Sequence, residues 1–219
     1  MTGRVVVRPY RAADRARVRD IAYRTGFLGD PADCYWRDVE SFANVWTGYY
    51  TDREPQSAFV AERDGAVVGF LLGCVDSSRA DSPKVALVRE IRRRLLFVRP
   101  GTAGFLWRSI LDGLRGVEAP SGDLDDPRWP AHLHVDLLPE ARRGGAGTAL
   151  MQAWFGRLRS LGTAGCHLVT LYENRAAVAF FERLGFRRHG PAQLLPGMRM
   201  PDGARMHQQV MVRDVASSG

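Results

Sequence analysis

The stretch from His132 to Leu161, HLHVDLLPEARRGGAGTALMQAWFGRLRSL, constrains the chain more than any other. An alternating run ends at Pro139, and Gly144, Gly145 and Gly147 follow. From about Thr148, Leu150, Met151, Trp154, Phe155, Leu158 and Leu161 recur at three- and four-residue spacing. This predicts a strand, a loop of close backbone approach, and an amphipathic helix. Glycines let the main chain come near a ligand, and the first turn of a helix presents amides without intrahelical partners. Together with the positive end of the helix dipole, such donors suit a phosphate. No Lys-Ser or Lys-Thr pair closes the loop, and its glycines do not follow G-x-G-x-x-G, so the two best-known phosphate loops are excluded. What stands here is Arg142-Arg143-Gly144-Gly145-Ala146-Gly147. The same glycines would also serve a tight turn with no ligand.

Residues two apart in a strand share a face, so His132, His134 and Asp136 line one side and Leu133, Val135 and Leu137 the other. A polar row on a strand that should be covered is either a hydrogen-bonded structural row or a wall that handles protons. Histidine has a reference pKa near neutrality, and a neighbouring carboxylate can orient it or raise it, so the row is suited to proton transfer.

With its flanks, the glycine loop resembles the acetyl-CoA site of the GNAT acetyltransferases, which carry a strand, a turn residue, [Q/R]-x-x-G-x-[G/A] and a helix. A second block, Val169–Tyr172 followed by Asn174, Ala177, Phe180, Phe181, Gly185 and Phe186, resembles that family's N-x-x-A-x-x-F-Y-x-x-x-G-F. The resemblance implies an α/β (α+β) GNAT fold: a twisted, mixed, mainly antiparallel sheet with helices on both faces. The sheet would be splayed between 131–138 and 167–172, where acetyl-CoA inserts. It further implies that the main chain of Arg142, Arg143, Gly144, Gly145, Ala146, Gly147 and Thr148 holds the pyrophosphate, and that Leu137 and Leu138 bond the pantetheine. Asn174, a natural helix N-cap, would also touch CoA. His132, His134 and Asp136 would be the base wall, since Ala131-His132-Leu133-His134 is similar to a run in arylalkylamine acetyltransferases. Phe181 stands where the family places an acidic tyrosine beside the CoA sulfur, which leaves Tyr172, Cys166 or water as proton donor. The implied activity is direct transfer of acetyl to a small-molecule amine. The alternatives are an acyl-CoA-binding protein without turnover and a protein-lysine acetyltransferase. A fainter resemblance, carried by Leu72–Asp76, a long helical insertion and Trp129-Pro130, is to the acetyltransferase-like C-terminal domain of O-GlcNAcases.

The rest of the chain reads as one domain, 1–219. Val5–Arg8 predicts a first strand, and Val18, Ile21 and Ala22 the inner face of a first helix. Segment 26–56 is rich in aromatics, a second helix whose rings face the core or an acceptor. Asp64-Gly65 predicts a hairpin between two strands, with a bulge or close approach at Gly69 and Gly73. An insertion, about 76–130, should hold a helix with an apolar stripe of Val88, Ile91, Leu95 and Val98, a second helix in 105–114, and an acidic rim at Asp123, Asp125 and Asp126. Phe186 to Val215 should close the sheet, with a Pro- and Gly-rich excursion as either a lid or a long hairpin. Three scattered cysteines predict neither a disulfide framework nor a metal site. The net charge of +7 is carried almost wholly by arginine. No nucleic-acid motif accompanies it, so a nucleic-acid partner is not expected. With no long apolar run and no leader, the expectation is a soluble cytoplasmic protein without a membrane partner, and a homodimer is left open.

Overall fold

The computed structural model describes residues 4–79, 83–117 and 124–215. Seven strands, β1 (Val6–Pro9), β2 (Ala58–Arg63), β3 (Ala66–Cys74), β4 (Ala131–Leu137), β5 (Gly165–Leu171), β6 (Arg187–Arg199) and β7 (Arg205–Asp214), form one sheet in the order β1-β2-β3-β4-β5-β7-β6. Every neighbouring pair is antiparallel except β4 and β5. Those two share only the register pairs Ala131↔Cys166 and His132↔His167. Beyond them β4 stays on β3 as far as Leu137, and β5 stays on β7 as far as Leu171, so the sheet splits down its middle.

Helix α1 (Arg15–Thr25) and α2 (Val39–Asp52) cover one face, where Val18, Ile21, Phe42 and Tyr50 pack on Val60, Phe70 and Leu72. On the other face α5 (Ala146–Ser160) brings Leu150, Met151, Trp154 and Phe155 onto Leu71 and Leu133, and α6 (Arg175–Arg183) adds Val178 and Phe181. Strand β3 lies between these layers, which is why it reads as an unbroken apolar run rather than an alternation. Its glycines are sites of close approach: a Cβ on Gly73 would overlap the Trp154 indole, and one on Gly69 would meet Leu137. The bulge expected there is present: Ala61 pairs with Gly69 and Glu62 with Val67, which leaves Val68 of β3 as the extra residue beside Gly69.

The insertion contributes α3 (Pro83–Arg94) and α4 (Ala103–Leu114). Its apolar stripe is not the expected one. Helix α3 stops at Arg94 because Leu95 adopts φ 51°, and that left-handed residue re-phases everything after it. Val98 is exposed and Leu96 buried as a result; Leu95 itself is exposed, and within α3 it is Leu87 and Ile91 that pack inward while Val88 is exposed. Helix α5 opens at Ala146, two residues before the expected start, since Gly145 at φ 81° turns the chain directly into it. The Pro- and Gly-rich excursion is a long hairpin: β6 runs through Pro191, Pro196 and Gly197, and its pairing with β7 is interrupted around the prolines. Of the acidic rim, Asp126 is spent on Arg128 at 2.7 Å, and Asp123 lies outside the described residues. The three cysteines are free. Among the described residues no helix is long and apolar enough to cross a membrane.

Candidate active site

The split ends in the glycine loop. Arg143 and Gly145 both have positive φ, 61° and 81°, and this pair of left-handed residues swings the chain from β4 into α5. The Ala149 N–H is the first to reach back, to Gly145 O at 3.0 Å, so the amides of Ala146, Gly147 and Thr148 have no acceptor within the helix. Outside them lies a cavity of about 610 Å³ lined by Arg4, Arg63, Arg142, Arg143, Gly144 and Gly145, with Glu140 its one acidic group. Helix amides together with four guanidinium groups fit a polyphosphate. Gly147 lets α5 sit against α6 and β4, since a Cβ there would come within 3.1 Å of Phe180 and 3.2 Å of Leu137. Arg142 is at the same time a tie: its Nε donates to Leu137 O at 3.1 Å and its Nη2 to Gly29 O at 2.6 Å.

Along an antiparallel strand, main-chain groups alternate between the two edges. The Leu138 N–H donates to Val68 O at 3.0 Å and its carbonyl accepts from Ala141 N–H at 2.9 Å, so Leu138 is turned toward β3 and used there. By alternation Val135 and Leu137 turn toward the split, where β5 has moved away. Of the two residues expected to bond pantetheine, Leu137 has the right orientation and Leu138 does not. Val135 shares the orientation of Leu137, which could be read only once the pairing register was known.

The polar row of β4 is graded in depth. His132, at the joined end, is buried; its Nε2 is 2.7 Å from the Tyr50 hydroxyl and its Nδ1 2.6 Å from Ser77 Oγ. Burial, with His167 adjacent, lowers its pKa to about 3 and keeps the ring neutral. His132 thus links two hydroxyls. His134, half-buried, lies edge-on to Tyr50 and Trp46, with ring centroids 5.3 and 6.1 Å away. Asp136 lies furthest toward the open end; burial raises its carboxyl to about 7, against the opposing pull of the Thr25 hydroxyl and the Arg142 charge. Sequence reasoning found this row but missed Tyr50 and Ser77 as its partners, although the aromatic density of 26–56 was the signal for the first. It also missed His167, whose Nδ1 donates to Trp129 O at 2.8 Å while Nε2 accepts from Leu124 N–H at 3.2 Å.

Across the split, Tyr172 follows β5 with the Arg175 guanidinium 4.3 Å from its ring centre. That cation lowers its phenol pKa. The Glu173 carboxylate next to it accepts from the His207 main chain at 3.1 Å and lies 2.9 Å from its Nδ1. Phe181 packs into the core against Phe186, 5.8 Å between ring centres, and Cys166 is buried with its thiol pushed up to about 12. Of the proton donors weighed from sequence, Tyr172 alone is a titratable group with a lowered pKa near the split. Asn174 caps α6, its Oδ1 accepting from Ala177 N–H at 3.1 Å.

A family model described as the Acetyltransferase (GNAT) family matches residues 17–186. The crystal structure of SsHAT is 27% identical over 97% of this chain and 99% of its own, with a TM-score of 0.65. Two further structures share the fold at lower identity. The Drosophila melanogaster polyamine N-acetyltransferase, which forms N-acetylagmatine, is 18% identical (96% and 100% covered, TM-score 0.61). The Salmonella typhimurium yncA protein, solved with acetyl-CoA, is 15% identical (99% and 97% covered, TM-score 0.58). A match over most of the chain, on a sheet split where the motifs require it, means that this protein belongs to the GNAT acetyltransferase family.

Proposed function

We propose that this chain is an acetyl-CoA-dependent N-acetyltransferase acting on a small-molecule amine by direct transfer, as a single cytoplasmic domain. The observation that carries the reading is a split between β4 and β5 whose mouth bears an anion cradle and whose wall carries Asp136, a carboxyl that burial raises to about 7. Acetyl-CoA would supply a thioester, whose acetyl group becomes the amide and whose sulfur departs with a proton. The Ala146–Thr148 amides and surrounding arginines hold the phosphates, and the Val135 and Leu137 main chain aligns the pantetheine arm. Asp136 takes the proton from the acceptor ammonium, with His134, Tyr50 and Trp46 forming the wall beside it.

The raised pKa matters quantitatively. Moving a proton from an ammonium of about 10.4 to a carboxylate near 3.9 costs roughly 9 kcal/mol, and to one near 7 roughly 5 kcal/mol. Burial of Asp136 therefore removes about half of that cost. The departing thiol has a pKa of about 8.5 and tolerates leaving as thiolate, with Tyr172 as the donor that completes the proton balance.

Calorimetric titration with acetyl-CoA, followed by thiol-release assays on a panel of polyamines, arylalkylamines and peptide amines, tests the reading. Wild type should bind, and Gly145→Glu should abolish binding, since it strains a backbone at φ 81° and sets a carboxylate in the cradle. Wild-type protein that does not bind acetyl-CoA sinks the proposal. Binding with no turnover on any amine would favour the alternative of a non-catalytic acyl-CoA protein, a reading to which Phe181 in the core lends support.

A further inference from the structure

Helix α4 has apolar residues on two sides, and one of those sides is uncovered. Trp107, Ile110, Leu111 and Leu114 fall at i, i+3, i+4 and i+7, a single stripe, and are 54, 39, 47 and 80% exposed. The opposite side faces the fold, with Leu106 buried, Phe105 against Tyr35 and Trp36, and the polar residues beside them. Ser109 Oγ lies 3.2 Å from Pro196 O, and the buried Asp112 carboxylate accepts from Gly197 N–H at 2.9 Å and pairs with Arg199 at 2.7 Å. The helix thus spends its hydrogen-bonding groups on holding β6 and leaves its apolar stripe outward. The segment before it extends the same surface: Leu95 and Val98 are exposed, and the Phe97 ring lies 5.6 Å from that of Trp107.

We propose that a second copy of this chain covers this face, with α4 packing on its counterpart about a two-fold axis. The exposed apolar area of these residues is on the order of 700 Å², beyond what a monomer normally leaves uncovered and close to the ~800 Å² that each partner contributes to a standard interface. A stripe one helix wide is complementary to itself under a two-fold operation. The charge distribution favours a protein copy over a lipid surface. An interfacial helix sets cations beside its apolar stripe at headgroup level. Of the two charged residues in α4, Asp112 is buried and Arg108 donates through Nε to Gly197 O at 3.2 Å. Arg89, Arg92 and Arg93 on α3 are exposed, so two copies bring like charges together around an apolar centre. Salt should therefore tighten the association, whereas it would weaken binding to anionic lipid.

Sedimentation velocity of the full chain over a micromolar dilution series, at low and high salt, tests this. The wild type should sediment as twice 24.4 kDa, and its dissociation constant should fall as salt rises. Leu111→Glu and Leu114→Glu should each raise that constant at least tenfold with an unchanged melting curve by circular dichroism, because both side chains point into solvent in the single chain. Trp107→Ala should do the same without introducing charge. A wild type that is monomeric throughout overturns the proposal, whether or not it floats with phosphatidylserine vesicles, and so do variants that remain dimeric.

Discussion

Replacing Asp136 by asparagine would separate two consequences of one buried carboxyl. In the folded chain this group titrates near 7, against 3.8 for the free side chain. Between those values the folded protein holds a proton that the unfolded chain has released. Stability must therefore fall as pH rises from about 4 to about 7, and level off beyond. At about 1.4 kcal/mol per unit the full shift corresponds to roughly 4 kcal/mol; the split is partly open to water, which reduces the expected effect to about 2 kcal/mol. Asparagine is neutral throughout, so the variant should exceed wild type in stability by about 2 kcal/mol at pH 8 and match it near pH 4. Activity should run the other way. Wild-type kcat/KM should climb about tenfold per pH unit up to about 7 as the base ionises, and the variant should lose that limb and at least a hundredfold in kcat. Urea unfolding at several pH values and a thiol-release assay over the same range measure both quantities. A variant that keeps the wild-type pH–rate limb would refute the base assignment, and identical pH–stability curves would refute the burial argument beneath it.

Other perturbations probe the supports of the site. Gly73→Ala should cost about 1–3 kcal/mol in urea unfolding, because its methyl group overlaps a fully buried Trp154 with no room to move. Asp112→Ala should cost about 3 kcal/mol by leaving Arg199 and the Gly197 amide without their buried partner, and should speed hydrogen exchange in β6. Tyr50→Phe should cost about 1–2 kcal/mol through loss of its bond to His132 and leave acetyl-CoA affinity unchanged in calorimetry.

The elements that build the cradle were legible because each was specified locally. A glycine that must take φ 81°, a helix with apolar residues every three or four positions, and an N-cap at Asn174 are decided within a few residues of chain. The α3 stripe was misread for a complementary reason. The periodicity of Val88, Ile91, Leu95 and Val98 is sound as a pattern, but one leucine in a left-handed conformation ends the helix, and no local signal requires a leucine to do so. Tertiary packing of Leu96 into the α1–α2 layer decided that turn.

The polar row on β4 shows where sequence reading stops. Period two places His132, His134 and Asp136 on one face and gives no ground for ranking them. What separates them is their distance from the point where β4 parts from β5, and that point is fixed by how far β5 follows β7 instead. At the joined end a histidine is enclosed, bonded at both nitrogens and held neutral. Four residues further, a carboxyl at the open end is desolvated enough to bring its pKa near 7 and still faces the split. On the proposed reading the enclosed histidine is structural, and the carboxyl, whose reference pKa suits a base least, acquires the value a base needs. That exchange is a property of the sheet's divergence, so moving the divergence, for instance by extending β4–β5 pairing one residue toward the mouth, should alter the base without altering any residue of the row.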